Sequence, residues 1–312
     1  MKNSRALSVL CAILAAAFYA LNVPFSKILL KNVSPAMLAG FLYLGAGVGI
    51  GAIYAFERRR VPTEFRLGKT DLPYTVLMVV LDVAAPVLLM FGLKTSAAAN
   101  ASLLNNFEIV ATTLIALIIF KEKVSGLLWT AIILISAAGA VLSFENVTAF
   151  SFSGGSLLVL AAASCWGLEN NCTRKISDKN ACEIVTVKGI FSGCGSIIVA
   201  LIAGETFPKA EYVLYSALLG FVAYGLSITL YVTAQKTLGA AKTSAYYAIA
   251  PFIGVTFSAI FLREKFSARF FIAFGIMIAG TVLASADTFR SKARAKNADS
   301  PPSEEQTERR PG

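Results

Sequence analysis

The feature that most constrains this chain is a series of apolar blocks, each about 20 residues long, that comes in two sets of five. A helix of that length rises about 30 Å, the thickness of a bilayer's hydrocarbon core. The blocks are read at 6–28, 35–56, 72–93, 97–120 and 124–144, then 155–177, 181–203, 211–235, 240–261 and 267–286. Apolar residues make up 56% of the 312 residues, more than a soluble domain carries. Helices are the fitting assignment, because lipid cannot satisfy an open sheet edge. Barrel strands would alternate over shorter segments. The predicted fold class is therefore an all-α membrane protein with ten transmembrane helices.

The two sets are copies. Tyr19-Ala20-Leu21-Asn22-Val23-Pro24-Phe25-Ser26-Lys27 is echoed by Trp166-Gly167-Leu168-Glu169-Asn170-Asn171-Cys172-Thr173-Arg174. Phe120-Lys121-Glu122-Lys123 is echoed by Leu262-Arg263-Glu264-Lys265. Five crossings leave a chain on the opposite side, so the second copy enters upside down. The domains expected are residues 1–145 and 153–287, two inverted five-helix repeats, followed by 288–312 as a disordered cytoplasmic tail. The tail reading rests on its charge, its prolines and its lack of aliphatic residues. Inverted repeats around a central site are a recurring architecture of secondary transporters.

The net charge of +10 invites comparison with nucleic-acid binders, but its placement excludes that partner. With the N-terminus inside, twenty of the 28 lysines and arginines lie on the cytoplasmic side, seven lie outside and Lys188 lies within a span. This is the positive-inside pattern, so the basic excess sets orientation. It predicts a multi-pass plasma-membrane protein of bacterial type with both termini cytoplasmic, in contact with membrane lipid. The five cysteines have no metal-ligand spacing and read as packing residues, so no metal or cofactor is expected. The second and seventh spans carry Gly45, Gly47, Gly49 and Gly51, and Gly189, Gly193 and Gly195. Small residues at such steps let helices approach closely, inside one chain or across a homodimer.

Four ionisable residues fall deep in apolar spans: Asp82, Glu108, Glu169 and Lys188. Each would cost about 2.5–3.5 kcal/mol at a lipid-facing helix centre, so they must face protein or water. Periodicity supports an inward face. Ser102, Asn105, Glu108 and Thr112 form one stripe of the fourth span. Trp166, Glu169, Asn170 and Thr173 form one in the sixth, and Tyr19, Asn22 and Ser26 one in the first. Tyr224, Ser227, Tyr231 and Gln235 form one in the eighth. By the helical rise, Asp82 and Glu108 lie about 15 Å from an interface, and Glu169 and Lys188 about 10–13 Å from the cytoplasmic side. That depth permits a Glu169–Lys188 pair. Asp82 has only apolar neighbours in sequence.

In these segments, together with Leu103-Leu104-Asn105-Asn106-Phe107-Glu108, Lys188-Gly189 and Ala250-Pro251-Phe252, the chain resembles the drug/metabolite transporter superfamily, in particular its EamA-type ten-helix members. The resemblance covers nearly all of the chain except the tail. It implies two inverted five-helix repeats with both termini cytoplasmic, and a cavity lined by spans one, three, four, six, eight and nine. Four of those six already carry the polar stripes. One departure is Ile109, where the first copy would ordinarily have a proline after Glu108, as the second copy has Pro251. That puts equal bending of the fourth and ninth spans in question.

The function expected is a secondary-active carrier that exports a small metabolite or amino acid by alternating access. The substrate-binding candidates are Asn22, Asn105, Glu108, Trp166, Glu169, Asn170, Tyr224 and Tyr231. The ion-coupling candidates are Glu108, Glu169, Asp82 and Lys188. A lipid flippase or a sugar-phosphate or nucleotide-sugar exchanger is the nearer alternative. An intramembrane enzyme is disfavoured: without histidine, neither Ser–His proteolysis nor HExxH metal hydrolysis is available. Two carboxyls at one depth, Asp82 and Glu108, could form an aspartyl-type dyad, but only one is Asp and no supporting motif surrounds either.

Overall fold

A computed structural model describes residues 2–121, 124–146, 151–176, 178–238, 243 and 246–298. The first copy contributes α1 (Lys2–Ala20), α2 (Asn22–Leu29), α3 (Pro35–Glu57), α4 (Leu72–Thr95), α5 (Ala98–Leu104), α6 (Phe107–Phe120) and α7 (Gly126–Ser143). Two short antiparallel strands, Phe144–Asn146 and Ser151–Phe152, clip the copies together. The second copy holds α8 (Gly154–Lys175), α9 (Ala181–Ile202) and α10 (Ala210–Gly220), which continues through a wider π-helical turn (Phe221–Leu226) into α11 (Ser227–Leu238). Two further helices follow, α12 (Ala250–Leu262) and α13 (Ala268–Ala298).

Among the described residues, eight helical stretches are long and apolar enough to cross a membrane. Two of the ten expected spans are not among them, for different reasons. Helix α8 is diluted by its own polar residues, Glu169, Asn170, Asn171, Arg174 and Lys175. Helix α12 has 13 residues, and much of the preceding part of the expected ninth span, residues 240–242 and 244–245, lies outside the described residues.

Three spans are broken in mid-course. The first turns at Leu21, three residues before Pro24. A proline has no N–H for the carbonyl four residues earlier, here Ala20. In the second copy, Asn171 stands in place of Pro24. Its side chain donates to the Gly167 carbonyl at 2.8 Å, and α8 runs on unbroken. The fourth span breaks at Asn105-Asn106, where Asn106 N–H bonds back to Leu103 O in a tighter turn. The ninth breaks at 248–249, with Pro251 opening α12. The absence of proline at Ile109 therefore does not remove the break in the first copy; two consecutive asparagines, which favour turns over helix interiors, occupy it.

The packing respects the duplication. Helix α3 lies along α9 and α7 along α13. Helix α4 lies along α8, as α1 does along α11, and α6 meets α8 as α1 meets α12. Exchanging the spans of one copy for those of the other returns the same neighbours. The glycine faces lie at these contacts inside one chain: a Cβ on Gly189 would stand 2.4 Å from the backbone of Gly47, and one on Gly45 2.0 Å from the Ala217 carbonyl.

Loops gather at two ends. At the end where α1 begins, Asn180 N–H donates to Phe65 O at 2.7 Å, and Ser125 bonds to Asp287. At the opposite end, Glu264 accepts from Ala98 and Ala99 N–H at 2.7 and 2.9 Å, capping α5. There Lys27 donates to the Leu93 and Ser96 carbonyls at 2.6 and 2.7 Å. The residues Lys121 and Arg263, matched in the two copies, both adopt the left-handed conformation that ends α6 and α12 (φ 53° and 52°).

Large apolar side chains such as Phe56, Ile118 and Ile202 stand exposed on the perimeter, as a lipid-facing surface requires. Helix α13 runs to Ala298, past the start at 288 expected for a disordered tail. Residues 290–298 are mostly alanine, lysine and arginine, strong helix formers, and their positive charge suits a helix C-terminus. Residues 299–312 lie outside the described residues.

Candidate functional site

The buried charges meet at the interface between the copies. Lys188, on α9, lies 3.1 Å from Asp82 Oδ2 of α4 and 2.9 Å from Glu169 Oε1 of α8. Asp82 is fully buried and Glu169 is 2% exposed, so lipid reaches neither. The Tyr43 hydroxyl, on α3, donates to Asp82 Oδ1 at 3.0 Å and accepts from Trp166 Nε1 at 3.4 Å. Thr173, one turn below Glu169, donates to its carboxylate. The pairing of Lys188 with Glu169 is as depth suggested. Its pairing with Asp82 is not. Depth had grouped Asp82 with Glu108, but the long lysine stem reaches both acids, and Asp82 and Glu108 have separate partners.

Beside this triad, Glu108 at the start of α6 accepts a bond from Asn170 Nδ2 at 2.6 Å. The same amide lies 3.4 Å from Thr112 Oγ1. Neighbouring Asn171 donates to Thr112 O at 3.1 Å, fastening α8 to α6. The break at Asn105-Asn106 places Glu108 in the first turn of α6, where the positive end of the helix dipole favours a carboxylate.

A set of tyrosines completes the site. Asn22 Nδ2, fully buried, donates to the Tyr224 hydroxyl at 2.8 Å, while Ser26 donates to Asn22 Oδ1. The Tyr224 ring lies 5.0 Å from Tyr43 and 6.0 Å from Tyr19. Tyr19 in turn meets Tyr247 at 5.6 Å, and Tyr247 meets Tyr231 at 5.1 Å. The π-helical turn carries Tyr224, and such turns occur often at functional positions.

Of the residues read from the sequence, Asp82, Glu169 and Lys188 form the triad, Trp166 reaches it through Tyr43, and Glu108 and Asn170 form the second pair. Asn22, Tyr224 and Tyr231 join the tyrosines. Asn105 is buried in the break, and among the described residues its side-chain Oδ1 has no hydrogen-bond partner. Gln235, the last member of the eighth span's stripe, has a side chain outside the described residues. Tyr43 was missed. It sits among the glycines of α3, where the sequence reads as a packing helix, and no period of polar residues marks it.

The bonds Asn22–Tyr224, Tyr43–Trp166, Asp82–Lys188 and Glu108–Asn170 each join a residue of the first copy to one of the second. A polar site thus lies along the seam of a duplicated bundle. The family model for the EamA-like transporter family matches twice, over residues 6–144 and 153–286.

The chain belongs to the EamA-like transporter family. It is 27% identical over 289 residues to an uncharacterized transporter of Methanothermobacter thermautotrophicus, covering 87% of this chain and 84% of that one. It is 23% identical over 205 residues to the uncharacterized transporter YyaM of Bacillus subtilis, covering 62% of this chain and 66% of that one. A crystal structure that is 16% identical in sequence superposes with a TM-score of 0.65, covering 91% of this chain and 97% of the other, which establishes the shared fold. The protein is a multi-pass membrane transporter built from two repeats. Its site residues follow from the geometry above, and not from these relatives.

Proposed function

We propose that this transporter is a secondary-active carrier that exports a small metabolite by alternating access at the seam between its repeats. The reading takes ten crossings in two antiparallel halves, residues 1–145 and 153–287, with both termini in the cytoplasm of a bacterial-type cell. It is supported most by one observation: four polar bonds between side chains, Asn22–Tyr224, Tyr43–Trp166, Asp82–Lys188 and Glu108–Asn170, bridge the copies inside the bundle. Such bonds can be exchanged for bonds to a solute as the halves rock about it. An apolar seam would offer a polar solute nothing in exchange. The broken fourth and ninth spans, and the broken first, supply backbone breaks beside the site, where membrane carriers bind and bend.

Glu108 and Glu169 are the carboxyls proposed to carry the coupling proton. Glu108 accepts from the Asn170 amide at 2.6 Å, and the same amide lies 3.4 Å from the Thr112 hydroxyl. The test is counterflow of radiolabelled solute in proteoliposomes at several pH values. The reading expects Glu108→Gln to lose pH-dependent transport while remaining folded. Wild-type rate and wild-type pH dependence in that variant would remove Glu108 from the coupling role.

A further inference from the structure

The broken first, fourth and ninth spans meet at one place. Helix α12 packs against α1, α2 and α5. A Cβ on Gly254, in α12, would stand 2.9 Å from Ser102 Oγ and 3.6 Å from the Ala20 carbonyl oxygen. Glycine keeps open a point that both oxygens lie against.

The breaks release oxygens there. Ala20 ends α1, and Pro24, four residues on, has no N–H to give its carbonyl. Asn106 N–H bonds to Leu103 O at 3.0 Å, which leaves the Ser102 carbonyl without the donor that a continuous helix would supply. Ser102 is 2% exposed and Asn105 6%. Among the described residues, neither Ser102 Oγ nor Asn105 Oδ1 has a hydrogen-bond partner. Asn105 follows Ser102 by three residues, and Asn105 N–H still bonds to Ala101 O in helical fashion, so the two side chains share one face. Buried polar atoms without partners are rare and call for an occupant.

The set is two carbonyls, a hydroxyl and an amide oxygen, none of them charged. A water molecule has two hydrogens to give and would leave part of it unsatisfied. A cation satisfies all four at once. The C-terminal ends of α1 and α5 add the negative poles of two half-helices, an arrangement that holds cations in broken-helix carriers. The donors also select the ion. Calcium and magnesium draw on carboxylates, and the nearest one along the chain, Glu108, accepts from Asn170 at 2.6 Å. Zinc and its neighbours take imidazole or thiolate, and this set has neither. Neutral oxygens suit a monovalent alkali cation.

We infer that a sodium ion binds where the broken first and fourth spans meet Gly254, held by Ser102 Oγ, Asn105 Oδ1 and the Ala20 and Ser102 carbonyls. The inference goes beyond the proton coupling proposed above and does not depend on it, because neither Glu108 nor Glu169 is a ligand. The ion ties two spans of the first copy together against a helix of the second.

The test melts the purified full-length transporter in detergent, in sodium, potassium or choline chloride at one ionic strength, and measures radiosodium binding by equilibrium dialysis. Sodium is expected to raise the melting temperature by about 2–4 °C over choline, and to exceed potassium. Radiosodium is expected to bind saturably. Ser102→Ala removes a ligand and an unpartnered hydroxyl together. It is expected to weaken sodium by at least about tenfold, while melting no lower than wild type in choline. Gly254→Ala places a methyl against Ser102 Oγ and is expected to lose radiosodium, whereas Gly275→Ala, in open space on α13, retains it. A melting temperature in sodium equal to that in choline or potassium, no saturable radiosodium, or a wild-type sodium response in Ser102→Ala would each overturn the inference. A Ser102→Ala protein that melts lower than wild type in choline also counts against it, since the hydroxyl would then be satisfied without the ion. Counterflow across pH in Glu108→Gln reads the carrier's proton and not this site, so either reading can fail alone.

Discussion

Replacing Lys188 by methionine would keep the length of the side chain and remove the one cation between Asp82 and Glu169. Both acids are buried and lie within 3.1 Å of the lysine nitrogen, so each would lose its counter-ion without gaining water. Removing one partner of a buried ion pair costs about 3–5 kcal/mol, chiefly as the penalty of the charge left behind. Neutralising all three groups leaves no such charge, and replacements of that kind are often neutral or stabilising by about 1–4 kcal/mol. The account therefore predicts an ordering. Lys188→Met should melt well below wild type, by something on the order of 10 °C at a few degrees per kcal/mol. The triple variant Asp82→Asn, Glu169→Gln, Lys188→Met should recover most of that loss. Differential scanning fluorimetry in detergent, read from Trp129 and Trp166, measures it. A Lys188→Met protein as stable as wild type, or a triple variant no more stable than the single one, would refute charge pairing as the role of Lys188.

The remaining predictions concern packing and capping. Gly189→Leu should destabilise by at least about 1–3 kcal/mol through overpacking, since its Cβ would meet the Gly47 backbone at 2.4 Å. Gly275→Ala, in α13 with open space around it, should be neutral or stabilising by up to about 1 kcal/mol, and melting curves compare the two. Asn180→Ala should cost about 1 kcal/mol, because the Asn180 side chain accepts from Glu183 N–H at the start of α9. A loss no larger than that of Gly275→Ala would count against the cap.

What the sequence disclosed, and what it withheld, divides along physical lines. Helical periodicity and the energy of burying charge mark Glu108, Glu169, Asn22 and Tyr224 as inward-facing, because each belongs to a polar stripe. Periodicity is blind to azimuth between helices, so it does not reveal that Lys188 is shared by two acids. Asp82 has no polar neighbours along its helix, and its partners come from α3 and α9 alone. Tyr43 escapes for the same reason. The break in the fourth span is also illegible from proline counting, since Asn105-Asn106 turns the chain where the second copy relies on Pro251. The duplication itself was readable from short echoes. The consequence that α8 is too polar to resemble a membrane span is the price of placing Glu169, Asn170 and Asn171 in one helix.

The most direct test of a central site that opens alternately to both sides is access to Thr112, whose hydroxyl lies 3.4 Å from the Asn170 amide. Thr112→Cys in a background without other cysteines is treated with a membrane-impermeant thiol reagent, from one face at a time, in oriented vesicles. The account predicts modification from either face and protection from both by bound solute. Modification from one face alone, or only by a lipid-soluble reagent, would contradict it.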